Sequence, residues 1–171
     1  MEIEWIMKSY FKMNLVQKAK EFARECHKGQ FRNDGKTPYI THPEAVVNLL
    51  LDATIRDENI IASAWLHDVM EDCNININEI KKEFGDDVAE IINVLTRNVD
   101  REKYKQRIKE SDFAVKMIKL ADTIHNCSEM YESSVSANTR TSKINDCNNF
   151  YFDLAIQTYK PFYFLLKENI K

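Results

Sequence analysis

The sequence predicts an all-α protein, a compact multi-helix bundle. Three observations carry that expectation. Among 171 residues there are only three Gly and three Pro, too few turn formers for a many-stranded sheet but enough for helices joined by short loops. Apolar residues recur at intervals of three and four through most of the chain, the period of helices with one buried face. With 44% hydrophobic and 30% charged residues, one globular domain over residues 1–171 has enough apolar material for a core. A formal charge of -3 argues against general nucleic-acid binding, and no apolar run is long enough to span a membrane. Cys26, Cys73, Cys127 and Cys147 are scattered without a CxxC pair, so we expect free thiols in a reducing cytoplasm rather than a zinc knuckle or a disulfide framework.

Taken in order, an apolar and basic opening segment leads into a helix from about Leu15 to His27, with Val16, Ala19, Phe22, Ala23 and Cys26 on one face and Gly29 as its stop. Gln30 to His42 has no helical period and reads as a loop. Thr41-His42-Pro43 starts the next helix, since Pro suits the first turn and Glu44 its positive end. Asp57 begins a central helix that runs to Asp72. A break at Asn74 to Asn78 precedes a short helix, Ile77 to Phe84, closed by Gly85, and Asp86 or Asp87 caps the one after it. Asn98 to Ser111 is almost wholly polar and reads as a solvated connection or helix near a pocket rim. Asp112 starts a helix to about Asn126. A polar loop, Glu132 to Thr141, then leads to a long aromatic-rich helix kinked or interrupted at Pro161.

The central helix holds the most informative stretch, Ile60 to Asp72. Its first turns are apolar on nearly every side, which suits the middle of a core. At about 100° per residue, His67, Asp68, Glu71 and Asp72 then fall in one arc, opposite Trp65, Leu66, Val69 and Met70. Two readings stand at this point: a divalent metal that compensates buried ionisable groups, or a helix end with a solvated acidic rim. His42 sits where a loop enters a helix and can be aimed into a cleft. Asp122 lies in an otherwise apolar stretch and needs a partner, and Lys119 and Asn126 fall on its side of the helix. For an isolated helix, a Lys119–Asp122 ion pair is the simpler reading.

The order of these residues resembles the HD-domain phosphohydrolase superfamily, and the flanking residues narrow the likeness. Five blocks occur in sequence: Ala23-x-x-Cys26-His27-Lys28-Gly29-Gln30; Arg32-x-Asp34-Gly35-x-Thr37-Pro38-Tyr39-Ile40-x-His42-Pro43; Leu66-His67-Asp68-Val69-x-Glu71-Asp72; Phe84-Gly85; and Lys119-Leu120-Ala121-Asp122-x-x-His125-Asn126. Across residues 15–130 they look like the hydrolase domain of the RelA/SpoT alarmone enzymes and their free-standing small relatives. The resemblance implies an all-helical fold, one Mn2+ held by His42, His67, Asp68 and Asp122, and removal of the 3′-pyrophosphate from ppGpp or pppGpp. It implies a catalytic pair at Glu71 and Asp72, with substrate contacts at Arg32 and Asn126, to which we add Lys36 and Lys119. Such a donor set also suits Fe, Co or Zn. Residues 69–121 contain no histidine, so the extra ligands of dinuclear relatives are missing and one metal is expected. A bifunctional member would carry a synthetase domain after the hydrolase, and this chain ends about 45 residues past Asn126.

The chain departs from the family pattern at Asn33, where a second basic residue is usual, at Thr123, where a basic residue is common, and at Cys127, where the family has an apolar residue. None of these is a ligand position. They keep an alternative open, an HD phosphatase acting on another nucleotide, such as a 2′- or 3′-phosphorylated cofactor or a nucleoside monophosphate. A non-enzymatic alarmone sensor is disfavoured by the Glu71-Asp72 pair, which a sensor does not need. His27 and His125 are expected to be packing groups or to support the ligands from behind, since the four ligand positions are already filled.

Overall fold

A computed structural model describes residues 13–131 and 135–170. The apolar and basic opening segment and the first part of the expected polar loop lie outside them. Apart from a single bridge between Phe31 and Pro38, the described residues are helices and connections. The helices are α1 (Leu15–Cys26), α2 (Thr41–Asp52), α3 (Glu58–Leu66), α4 (Val69–Asp72), α5 (Ile77–Phe84), α6 (Asp86–Leu95), α7 (Arg101–Glu110), α8 (Phe113–Ser128), α9 (Ala137–Asp146), α10 (Phe152–Thr158) and α11 (Lys160–Asn169). A π-helical stretch, Cys147–Tyr151, joins α9 to α10.

Local chemistry sets most of the boundaries. Asn14, Asp57 and Asp112 each turn a side-chain oxygen onto backbone N–H groups of the first turn, replacing hydrogen bonds that a helix start lacks. Asn76 and Glu79 form a reciprocal capping box at α5. Helix α3 occupies the centre: Ile61 to Leu66 are all buried, and it packs on α1, α2, α6 and α8. Each Leu or Ile sealed this way contributes roughly 1.5–3 kcal/mol. No helix among the described residues is long and apolar enough to cross a membrane.

Four expectations need correction. The central helix is not continuous to Asp72: it ends at Leu66, turns through His67 and Asp68, and resumes at Val69. Asp68, with φ -102° and ψ -8°, leaves the helical ladder there. Gly85, with φ 88°, stands at the head of α6, and Asp86 and Asp87 occupy its first turn rather than the cap. The second half of the expected polar loop is helical, because Ser136 caps α9 by accepting from Thr139 N–H, while Asp146 near its end pairs with Arg101 and Lys105 of α7. The C-terminal break falls at Tyr159, in extended conformation, and Pro161 sits in the first turn of α11, where its missing N–H is harmless.

Candidate metal centre and adjoining cavity

The loop before α2 is built to deliver His42. Arg32 N–H donates to Thr37 O (2.8 Å) and Tyr39 N–H to Gln30 O (2.9 Å), closing a narrow turn around Gly35 at φ 68°. Asp34 holds the tip by accepting from Lys36 N–H (2.8 Å), Thr37 N–H (2.9 Å) and the Thr37 hydroxyl (2.6 Å). These bonds draw the exposed Asp34 carboxyl down to about 2.

His42, His67 and Asp122 are buried and present ligand atoms within 4.8 Å of one another. His42 Nε2 lies 3.1 Å from Asp122 Oδ1 and 3.2 Å from His67 Nε2. Half-buried Asp68 joins them, with Oδ2 3.2 Å from His67 Nε2 and 3.5 Å from His42 Nε2. His67 and Asp68 stand at the turn between α3 and α4, and both side chains point at the same spot. His67 Nδ1 is 2.8 Å from Ala64 O and donates to it, which leaves Nε2 as the nitrogen that faces the cluster.

The electrostatics are those of a compressed charge cluster. Burial alone would lower His67, but Asp68 and Asp122 outweigh it and raise the imidazole to about 9. Burial likewise opposes ionisation of Asp122, yet Lys119 and the two histidines hold it well below the usual carboxylate range. Burial keeps His42 below its ordinary value. Two imidazoles and two carboxylates around one point fit a divalent cation of the Mn, Fe, Co or Zn kind. The expected pairing is present as well, for Lys119 Nζ donates to Asp122 Oδ2 at 2.7 Å. The two readings of Asp122 are therefore compatible, one on each oxygen.

Around the cluster, Tyr39 donates its hydroxyl to Asp68 Oδ2 (2.7 Å) and stacks on buried His27 with ring centres 4.6 Å apart. His125 Nδ1 meets His42 Nδ1 at 2.9 Å and so stands behind a candidate ligand, whereas His27 packs on Tyr39 and bonds Gln30. Two cavities of about 170 and 200 Å³ adjoin here, sharing Glu71, Tyr104, Lys119, Asp122 and Asn126. The smaller holds His42, His67 and Asp68; the larger adds Arg97, Arg101, Lys105 and Lys143, with Asp146 among them. Glu71 is exposed at the junction and accepts Arg97 N–H at 2.6 Å. Asp72 is exposed and borders neither cavity.

A family model described as HD domain matches residues 19–112. The chain belongs to the HD-domain family. Among curated relatives of this HD-domain chain, the guanosine-3′,5′-bis(diphosphate) 3′-pyrophosphohydrolase MESH1 of Xenopus tropicalis is 36% identical over 124 residues, covering 68% of this chain and 69% of the relative. The enzyme named guanosine-3′,5′-bis(diphosphate) 3′-pyrophosphohydrolase in Borreliella burgdorferi is 33% identical over 165 residues, 90% of this chain but 24% of that protein. The bifunctional (p)ppGpp synthase/hydrolase SpoT of Escherichia coli K12 is 36% identical over 61% of this chain and 16% of its own length. The HD-domain chain thus spans about a quarter or less of those two bacterial relatives. A solved structure described as a metazoan ortholog of SpoT that hydrolyzes ppGpp shares the fold, with TM-score 0.81 and 24% identity over 92% of this chain and 94% of that one.

The remaining candidates of the HD-domain site divide. Lys119 and Asn126 border both cavities. Arg32 is buried behind Asn126, donating to its Oδ1 (3.0 Å) and to Glu129 Oε2 from Nε (3.1 Å) and Nη2 (2.6 Å). Lys36 is exposed on the loop tip and borders neither cavity. Sequence reasoning missed Arg97, Arg101, Lys105 and Lys143 as cavity residues, although the charged run from Asn98 to Ser111 was assigned to a pocket rim. It also missed Glu129, although its step of four from His125 puts it on the same helix face.

Proposed function

We propose that this chain hydrolyses the 3′-pyrophosphate of ppGpp or pppGpp, yielding pyrophosphate and GDP or GTP, with Mn2+ as its metal. The observation that carries the proposal is the convergence of His42, His67 and Asp122, with Asp68 beside them, at the edge of a cavity whose far wall is basic. The frog and spirochaete relatives named for this reaction support it. The four free thiols suit a reducing cytoplasm.

His42, His67, Asp68 and Asp122 would hold a divalent cation, which would supply Lewis acidity toward a phosphoryl oxygen and toward the attacking water. Glu71, fixed at the cavity junction by the Arg97 N–H, takes the proton from the attacking water. Asp72, the next residue on the same turn, is the second member of the pair. Lys119 and Asn126 meet the transferred pyrophosphoryl group. Arg97, Arg101, Lys105 and Lys143 accept the remaining phosphates, with Lys36 reaching in from the loop tip and Arg32 holding Asn126 from behind. A polyphosphate needs such local cations because the chain as a whole is acidic.

The test is product analysis with ppGpp, GDP, NADPH and simple nucleoside monophosphates in parallel, with Mn2+ and with chelator. Pyrophosphate and GDP in equal amounts, formed from ppGpp only when Mn2+ is present, are expected. Release of inorganic phosphate from NADPH or a monophosphate, with ppGpp untouched, would establish the other nucleotide-phosphatase reading instead.

A further inference from the structure

On the reading of His42, His67, Asp68 and Asp122 as a metal centre, on which this inference rests, two of those ligands are held in position from behind. His42 Nε2 faces the cluster, so its lone pair is available there only if the ring proton resides on Nδ1. That nitrogen has one neighbour, His125 Nδ1, at 2.9 Å. His42 must then donate and His125 must accept, which puts the His125 proton on its own Nε2. Glu129 Oε1 lies 3.6 Å from that nitrogen, an electrostatic contact that favours this tautomer.

The other oxygen of the same carboxylate serves a second arm. Glu129 Oε2 accepts from Arg32 Nε (3.1 Å) and Nη2 (2.6 Å), and Nη2 also donates to Asn126 Oδ1 (3.0 Å). With its oxygen occupied by the guanidinium, Asn126 turns its NH2 toward Asp122 and donates to Oδ1 at 2.5 Å. That is the oxygen facing His42. Arg32 is 9% exposed, so little water competes for either arm.

We propose that Glu129 is a positioning residue of the metal centre: through His125 it selects the ring tautomer of His42, and through Arg32 and Asn126 it orients Asp122. A carboxylate outside every sequence block thereby governs two ligands from separate elements, His42 at the start of α2 and Asp122 in α8.

The probe is Mn2+ alone, titrated into the full chain and followed by calorimetry and by the electron paramagnetic resonance signal of free Mn2+. Glu129→Ala and His125→Phe should each weaken Mn2+ binding about 10- to 100-fold, the range found when groups behind metal ligands are removed. Glu129→Gln still offers one carbonyl oxygen and should fall between Glu129→Ala and the parent. That ordering separates positioning from a structural role, which would lower thermal stability without grading metal affinity. Histidine 15N chemical shifts of the metal-free protein give a second readout: a protonated Nδ1 on His42 in the parent and a mixture of tautomers in Glu129→Gln. This readout decides the matter if Glu129→Ala does not fold. Parent-like Mn2+ affinity in Glu129→Gln and His125→Phe, within a factor of two, together with an unchanged His42 tautomer, overturns the proposal. A parent chain that binds no Mn2+ overturns the metal-centre reading itself, and this inference with it.

Discussion

Lys119 donates to one oxygen of Asp122 at 2.7 Å and leaves the other, 3.1 Å from His42, to the histidine cluster. The lysine therefore keeps Asp122 ionised without occupying the oxygen that a cation would use. Removing the carboxylate should have two separable effects. Asp122→Ala is expected to lose the metal, measured by elemental analysis, and to lose about 3 kcal/mol of stability because the Lys119 ammonium is left without its counter-charge. The double variant Lys119→Met with Asp122→Leu should regain most of the stability in denaturant titration and none of the metal. Full metal content in Asp122→Ala would reduce Asp122 to an ion-pair partner.

Glu71 gives the second prediction. Glu71→Gln preserves the size of the side chain and removes the base, so it should retain metal and substrate affinity while kcat falls by roughly 10²- to 10⁴-fold. Asp72→Asn should retain metal as well and lower kcat less, because Asp72 borders neither cavity. Steady-state kinetics decide between them. A kcat within a few-fold of the parent in both variants would leave proton transfer to some other group.

The basic wall predicts an order of effects on KM. Arg97→Ala and Lys143→Met should raise KM for ppGpp on the order of tenfold while kcat stays near the parent value, the expected size for one lost charge-assisted contact. Lys36→Met is the comparison, since its side chain starts from the exposed loop tip outside both cavities. If the rise in KM at Lys36 matched that at Lys143, the polyphosphate would have to lie toward the loop.

The loop itself yields a pH prediction. Asp34 ionises at about 2 in the folded chain against an ordinary 3.8, because Thr37 and the Lys36 and Thr37 N–H groups stabilise its charged form. A lowered folded value means that its contribution is complete above about 3.8 and disappears as pH falls through about 2. Thermal melts of the parent and Asp34→Asn should differ near neutral pH and converge in that acidic window. Parallel curves across the window would show that Asp34 does not titrate with folding.

Much of this architecture could be read directly from residues. Asp57, Asp112 and the Asn76–Glu79 box announce helix starts because their hydrogen bonds are made within three residues. His42, His67, Asp68 and Asp122 stand out as polar residues at apolar or helix-entry positions, and the resemblance of the five blocks to the HD-domain family is what joins them into one ligand set. What escaped depends on contacts between distant segments. The turn at His67-Asp68 follows from the cluster that the two side chains join, and local propensity favours an unbroken helix there. The π-helical stretch at Cys147–Tyr151 carries no compositional mark, yet it places Cys147 and Tyr151 in the cavity wall and brings the Cys147 thiol within 3.6 Å of Cys127. Arg97, Arg101 and Lys105 look like an ordinary solvated run until α7 is packed beside α8.

Helix α8 has a consequence for how this protein can change over time. Asp122 follows Lys119 by three residues, His125 and Asn126 follow Asp122 by three and four, and Glu129 follows them by four and three, so all five share one stripe up to the last turn and the residue that ends it. One residue inserted between Asp122 and His125 would rotate everything beyond it by about 100°. His42 would lose its neighbour, Arg32 its counter-charge and Asp122 its amide in the same event. The connection at 53–56 borders neither cavity and carries no such penalty. Chain length is therefore free to drift there and frozen along this helix, which is the segment that a transplant of the site onto another scaffold would have to copy without a gap.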